Sequence, residues 1–159
     1  MSNSTTKTWG LEGEELPEVI KLRSGSVICP RDNHWKFVDG VRAIYINFSR
    51  LPAQVEPLKD NLKRVLINVL EENSPQYASN MFYNFCRLAD VIAESGTTEI
   101  SEVQAMHILN FIAKYPTGDS LGMESQLSSV IARWNSLSLK GFSSEASALL
   151  TSRRKKGNI

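Results

Sequence analysis

The sequence predicts a mainly α fold, a compact set of four to five helices preceded by a small β-meander. Three observations predict it. From Leu51 onward apolar residues recur at steps of three and four, the period of a helix with one buried face. Before Leu51 they come instead in short β-type runs separated by turn residues. With 159 residues, 42% of them hydrophobic and 22% charged, the chain has about the length of one domain and enough apolar residues to bury a core.

Taken in order, residues Met1 to about Thr8 are small and polar and read as an arm. Four β-type runs come next: Val19 to Leu22, Ser26 to Ile28, Trp35 to Val38 and Ala43 to Phe48. Between them lie Ser24-Gly25, Pro30-Arg31-Asp32-Asn33 and Asp39-Gly40, all turn chemistry. Two to four short strands are marginal alone, so this meander is expected to pack on the helices behind it. The first helical stripe is Leu51, Val55, Leu58, Leu62, Val65, Leu66 and Val69, ending near Asn73. Ser74-Pro75 restarts the chain as N-cap and first helical residue, ahead of Met81, Phe82, Phe85, Leu88, Ala89 and Ile92, and Ser95-Gly96 closes that helix. A capping box of Ser101 and Gln104, with Ile100 stapled onto Ala105, opens a third helix that Pro116 and Gly118 stop. Leu127, Val130, Ile131 and Trp134 mark a fourth, and a fifth begins at Ser143 with Ala146, Leu149 and Leu150. The chain therefore divides into an arm and β segment over residues 1–50, a helical domain over 51–150 and a basic run over 151–159.

Composition narrows the function. No apolar run approaches the ~18 residues of a membrane helix, and the first residues lack the apolar segment of a signal peptide. Two cysteines, Cys29 and Cys86, make no disulfide framework and suit a reducing, cytoplasmic compartment. The only histidines, His34 and His107, have no partner at a metal-ligand spacing, and His107 reads as a structural residue of its helix. Without a Gly-rich loop between strand and helix, phosphate cradling is not indicated. The expectation is a chain that is no enzyme by itself and needs no metal, cofactor or small-molecule substrate.

Charge points to a binding role. From Val130 to Ile159 six cations, Arg133, Lys140, Arg153, Arg154, Lys155 and Lys156, face one acid, Glu145, a net of +5. The first twenty residues carry Lys7 against Glu12, Glu14, Glu15 and Glu18, a net of −3. Such polarity suits an anionic partner at the basic end. On the first helix Lys59, Lys63 and Arg64 fall on a side away from the apolar stripe, where each could neutralise a phosphate or simply be solvated. On the second, Gln76, Asn80, Asn84 and Arg87 form a hydrogen-bonding face of the kind that reads base edges. Gln126 and Arg133 repeat that character on the fourth helix.

The order of these parts resembles the N-terminal region of phage-type integrases, the tyrosine recombinases. Their core-binding domain is a SAM-like set of four or five helices whose second helix opens with Ser-Pro and a Thr, followed by a Tyr and a Leu-Arg pair with an aromatic behind it. Here Ser74-Pro75 opens the helix and Arg87 holds the Arg position, whereas Ala78, Phe82, Cys86 and Ala89 replace the Thr, Tyr, Leu and aromatic. Ser152 to Asn158 is similar to the linker that joins this domain to the catalytic one in a subgroup of bacterial integrases, and the likeness covers roughly residues 51 to 159. The resemblance implies a clamp on double-stranded DNA, with self-association on the DNA left open. The family's tyrosine nucleophile acts with two arginines, a lysine and a His-x-x-Arg element. No such element occurs, since Phe37 follows His34 at that spacing and Asn110 follows His107. The alternative is an α-helical protein-interaction adaptor whose basic end meets an acidic partner.

Overall fold

The computed structural model describes residues 15–22, 25–96, 98–115 and 121–157, apart from the side chains of 39, 121–123 and 151–157. The expected arm, the Ser24 turn and the Pro116 and Gly118 stop lie outside the described residues. Strands β1 (Ile20–Lys21), β2 (Val27–Ile28), β3 (His34–Asp39) and β4 (Arg42–Asn47) come first. Helices α1 (Lys59–Leu70), α2 (Pro75–Glu94), α3 (Ala105–Lys114), α4 (Leu121–Ser136) and α5 (Ser144–Gly157) come after them, so the fold is mainly α behind a small β segment.

The strands make two antiparallel pairs, β1 with β2 and β3 with β4, instead of one continuous meander. At the β2–β3 seam the Ser26 hydroxyl accepts the Val38 N–H at 3.2 Å, taking the donor a shared ladder would have used. Alternation decides which face is buried: Trp35, Phe37, Ile44 and Ile46 point inward while His34, Lys36 and Tyr45 stay outside. Gly40, at φ +66, allows the tight turn between β3 and β4.

Two 3-10 turns, Phe48–Arg50 and Ala53–Leu58, lead into α1. The sequence pattern reads the second of these as the start of one long helix. Pro57 lies within it and has no N–H to offer, so the regular helix starts only at Lys59. Helix α2 is the spine, at 20 residues about 30 Å long, and it packs against β4, α1, α3 and α4. Its start is as the sequence predicts: Ser74 accepts the Tyr77 N–H at 3.2 Å and Pro75 takes the first helical position. All six residues of its predicted stripe, Met81, Phe82, Phe85, Leu88, Ala89 and Ile92, are fully buried.

Helix α3 begins one turn later than the sequence suggests. The backbone before it is committed elsewhere: the Ile100 N–H bonds Gln54 O at 2.8 Å, the Val103 N–H bonds Gly141 O at 2.7 Å, and Val103 bridges Phe142. The capping box is therefore Gln104 with His107, and not Ser101 with Gln104; the His107 Nδ1 accepts the Gln104 N–H at 2.9 Å. Burial lowers the His107 pKa below its usual value. The fold thus favours the neutral ring, and the cap requires it. Between the depressed folded pKa and about 6.5 the unfolded chain binds the extra proton more readily, so this contribution is complete above pH 6.5 and is lost as pH falls. Thermal melts between pH 7.5 and 5.5 should show a decline worth up to about 1 kcal/mol, the scale of one cap, and His107→Gln, whose amide oxygen can take the same N–H, should flatten it. A His107→Gln protein with the wild-type pH dependence would remove the histidine from this role.

One apolar cluster runs from Leu22 and Ile28 through Trp35, Phe48, Phe82, Phe85 and Trp134 to Leu150. The division at residue 50 is a change of secondary structure and not of core. Trp35 meets Phe48 edge-on at 4.7 Å and Phe48 meets Phe82 at 5.0 Å, so three rings join the hairpin to the helical spine. At the rim a bidentate Arg50–Asp90 pair, 3.1 and 2.7 Å, ties the turn after β4 to α2.

Candidate nucleic-acid interface

The positions expected to face a phosphate backbone fall into three groups. Lys59, Lys63 and Arg64 of α1 turn inward. Lys63 is buried, its Nζ donating to the Asp32 carbonyl at 2.9 Å and lying 5.0 Å from the Phe48 ring centre. Burial, reinforced by the nearby Lys59 charge, lowers its pKa. Arg64 is buried too and donates to Asn61 Oδ1 at 2.9 Å, while the Asn61 amide donates to the Lys140 carbonyl at 2.9 Å. Lys59 reaches Asn33 at 3.2 Å and Glu56 at 2.9 Å. The expectation of a solvated cationic face is corrected here: the β segment covers that side of α1, and these side chains hold the 30–33 turn and the 140–141 loop against it.

The second group lies where α2 and α4 meet. Asn84 is buried and not exposed as expected, because its amide donates across the interface to Gln126 Oε1. Arg87, exposed, donates to Asn84 Oδ1 at 3.0 Å, and one turn before Asn84 the Gln76 amide donates to the exposed Asn80 at 3.1 Å. Gln76, Asn80, Asn84 and Arg87 succeed one another at steps of four, four and three, so they form one stripe along α2. The structure joins that stripe to Gln126 through Asn84. None of the five side chains carries a negative charge.

Arg133 and Lys140 lie further along. Arg133 donates to Asn68 at 2.7 Å and stands 3.5 Å from Glu72, bracing α4 on the end of α1. Gln126 and Arg133 are seven residues apart and share a face of α4, so one stripe grips α2 at its start and α1 at its end. Lys140 is exposed. The backbone of Arg153, Arg154, Lys155 and Lys156 continues α5 as helix, where the sequence suggests a separate linker; their side chains lie outside the described residues.

Among the described residues no three of His, Cys, Asp and Glu converge as a metal site. Burial pushes the Cys86 thiol up to about 12, so it stays protonated at neutral pH. Among the described residues, no helix is long and apolar enough to cross a membrane. Sequence reasoning missed the structural partners Asn61, Asn68 and Glu72, for which no local pattern exists, and the outward face of the hairpin. That face was readable in the alternation of His34, Lys36 and Val38 with buried rings.

Searches against protein-family models, curated proteins and solved structures find no match to this chain.

Proposed function

We propose that the chain binds double-stranded DNA and is the SAM-like core-binding portion of a site-specific tyrosine recombinase, the catalytic residues being supplied by a domain other than the one described. The observation that carries this reading is the α2 stripe of Gln76, Asn80 and Arg87, braced through the buried Asn84 to Gln126 of α4, with no acid among them. Arg and Asn or Gln are the side chains that pair bidentately with guanine and adenine in the major groove. Holding them by mutual hydrogen bonds lowers the entropy lost on docking. The cations at the end of α5 support the same reading as sequence-independent phosphate contacts.

Titration of a labelled duplex at several salt concentrations tests this. Binding should weaken linearly in log salt, by a slope of about 0.9 per phosphate neutralised. Double reversal, Arg153→Glu with Arg154→Glu, should reduce affinity at least tenfold for every duplex and flatten the slope by about 2, whereas Arg87→Ala should act more on some sequences than on others. Duplex affinity that is absent at low salt, or indifferent to both changes, would refute the reading.

A second reading, a protein-interaction adaptor, is favoured by one feature. Met106 and Leu109 of α3 are 61% and 53% exposed beside an open groove of about 360 Å³ lined by Ala105, Leu109, Glu145, Ala148 and Leu149. In the same titrations Leu109→Glu serves as the control that leaves duplex binding unchanged.

A further inference from the structure

The outward face of the β segment has a chemistry that the packing of the domain does not use. The β3–β4 register places His34, Lys36 and Val38 opposite Asn47, Tyr45 and Ala43, and all six are exposed. Beside them Lys21 stands opposite Val27 on the β1–β2 pair, both also exposed. These eight outward positions include two lysines and no carboxylate. The face is also unusually apolar. Val27, Val38 and Tyr45 are between 45% and 56% exposed on it, Val19 and Val41 flank its strands at 57% and 104%, and the other large hydrophobics so exposed among the described residues are Met106 and Leu109.

The aromatic at its centre has a particular setting. Tyr45 is 45% exposed, the His34 ring tilts against it at 36° with centres 5.5 Å apart, and the Lys36 Nζ lies 6.0 Å from its centre. A half-open ring with a cation at its margin, beside small aliphatic side chains on a rigid strand pair, combines the two elements by which proteins hold unpaired bases: a stacking surface and a phosphate contact. A duplex keeps its bases stacked on each other and offers nothing to such a ring, and an acidic peptide would use the lysines but not the ring. We propose that this face binds single-stranded nucleic acid, with a base stacked on Tyr45, its phosphate at Lys36 and the sugar against Val38 and Ala43. The site is separate from the α2–α4 stripe and does not depend on the duplex reading.

Fluorescence anisotropy of a labelled twelve-residue oligothymidylate at low salt, using the full chain, decides the matter. Binding is expected, with Tyr45→Ala and Lys36→Glu each weakening it about tenfold or more and Tyr45→Phe retaining it, because phenylalanine keeps the stacking surface. Tyr45→Phe also guards against misfolding, and circular dichroism of the alanine variant should match the wild type because the ring is half exposed. Arg87→Ala should leave oligothymidylate binding unchanged, which separates this site from the duplex face. The proposal fails if the oligonucleotide does not bind, if Tyr45→Ala binds it as well as wild type, or if a polyglutamate of equal charge displaces it equally well, the mark of a face that selects charge alone.

Discussion

Gly141→Ala is expected to destabilise the protein by about 3 kcal/mol or more, lowering the melting temperature by roughly 10 °C in a chain of this size. Two effects combine. Gly141 sits at φ +150, a backbone conformation that residues with a Cβ rarely adopt. A Cβ built there lies 2.6 to 2.8 Å from Cζ2, Nε1 and Cε2 of Trp134. The indole cannot retreat. It is fully buried, stacked on Phe85 with centres 5.9 Å apart, edge-on to Phe142 at 5.0 Å, and held by its Nε1 donating to the Lys140 carbonyl at 2.8 Å. That carbonyl also accepts from Asn61 of α1, and the Gly141 carbonyl accepts the Val103 N–H. Displacing the loop would therefore loosen α1, α4 and the lead-in to α3 together. Thermal unfolding followed by circular dichroism measures the change, and a melting temperature within 2 °C of wild type would show that the loop can shift freely.

Phe48→Ala is expected to cost about 3 to 5 kcal/mol, the range for removing a large buried aromatic. The ring is the middle member of the Trp35–Phe48–Phe82 series and the surface under the Lys63 ammonium, so its loss opens a cavity and strips a buried cation of its aromatic contact. Because hairpin and helices share one cluster, near-UV and far-UV signals should still fall together, at lower denaturant. Two separate transitions, with the helical one unmoved, would mean that the β segment is an independent unit after all.

The features legible in the sequence are those set by local physics. Ser74-Pro75 encodes a cap and a preset φ, and both act within one turn of helix. The alternation of Trp35, Phe37, Ile44 and Ile46 with polar residues selects the buried face of the hairpin, since a strand has a period of two wherever it packs. The six-residue stripe of α2 was legible for the same reason.

The site was less legible, and Lys63 shows why. At i and i+4 Lys59 and Lys63 have the spacing of a solvated face, yet Lys63 lies under the 30–33 turn with the Phe48 ring against its ammonium. Periodicity shows that a helix has one apolar side. It cannot tell how many neighbours the helix will have. Helix α1 is covered from several directions, so Asn61, Lys63 and Arg64 are buried with hydrogen bonds that local spacing could not announce. Asn84 repeats the case on α2, its partner Gln126 being 42 residues away. The capping box at His107 was displaced by the same kind of long-range competition, Gly141 and Gln54 having taken the preceding backbone.

By itself, then, the sequence determined the elements, the Ser74-Pro75 cap and the apolar faces, because these depend on interactions within a few residues, whereas the cap of α3 was set by distant backbone partners. It also determined the polarity of charge along the chain. Tertiary structure decided which polar residues remain available to a partner. Availability depends on what packs over each side chain, and for Lys63, Arg64 and Asn84 the covering groups come from distant parts of the chain. The same packing left Arg87, Asn80 and the Tyr45 face at the surface.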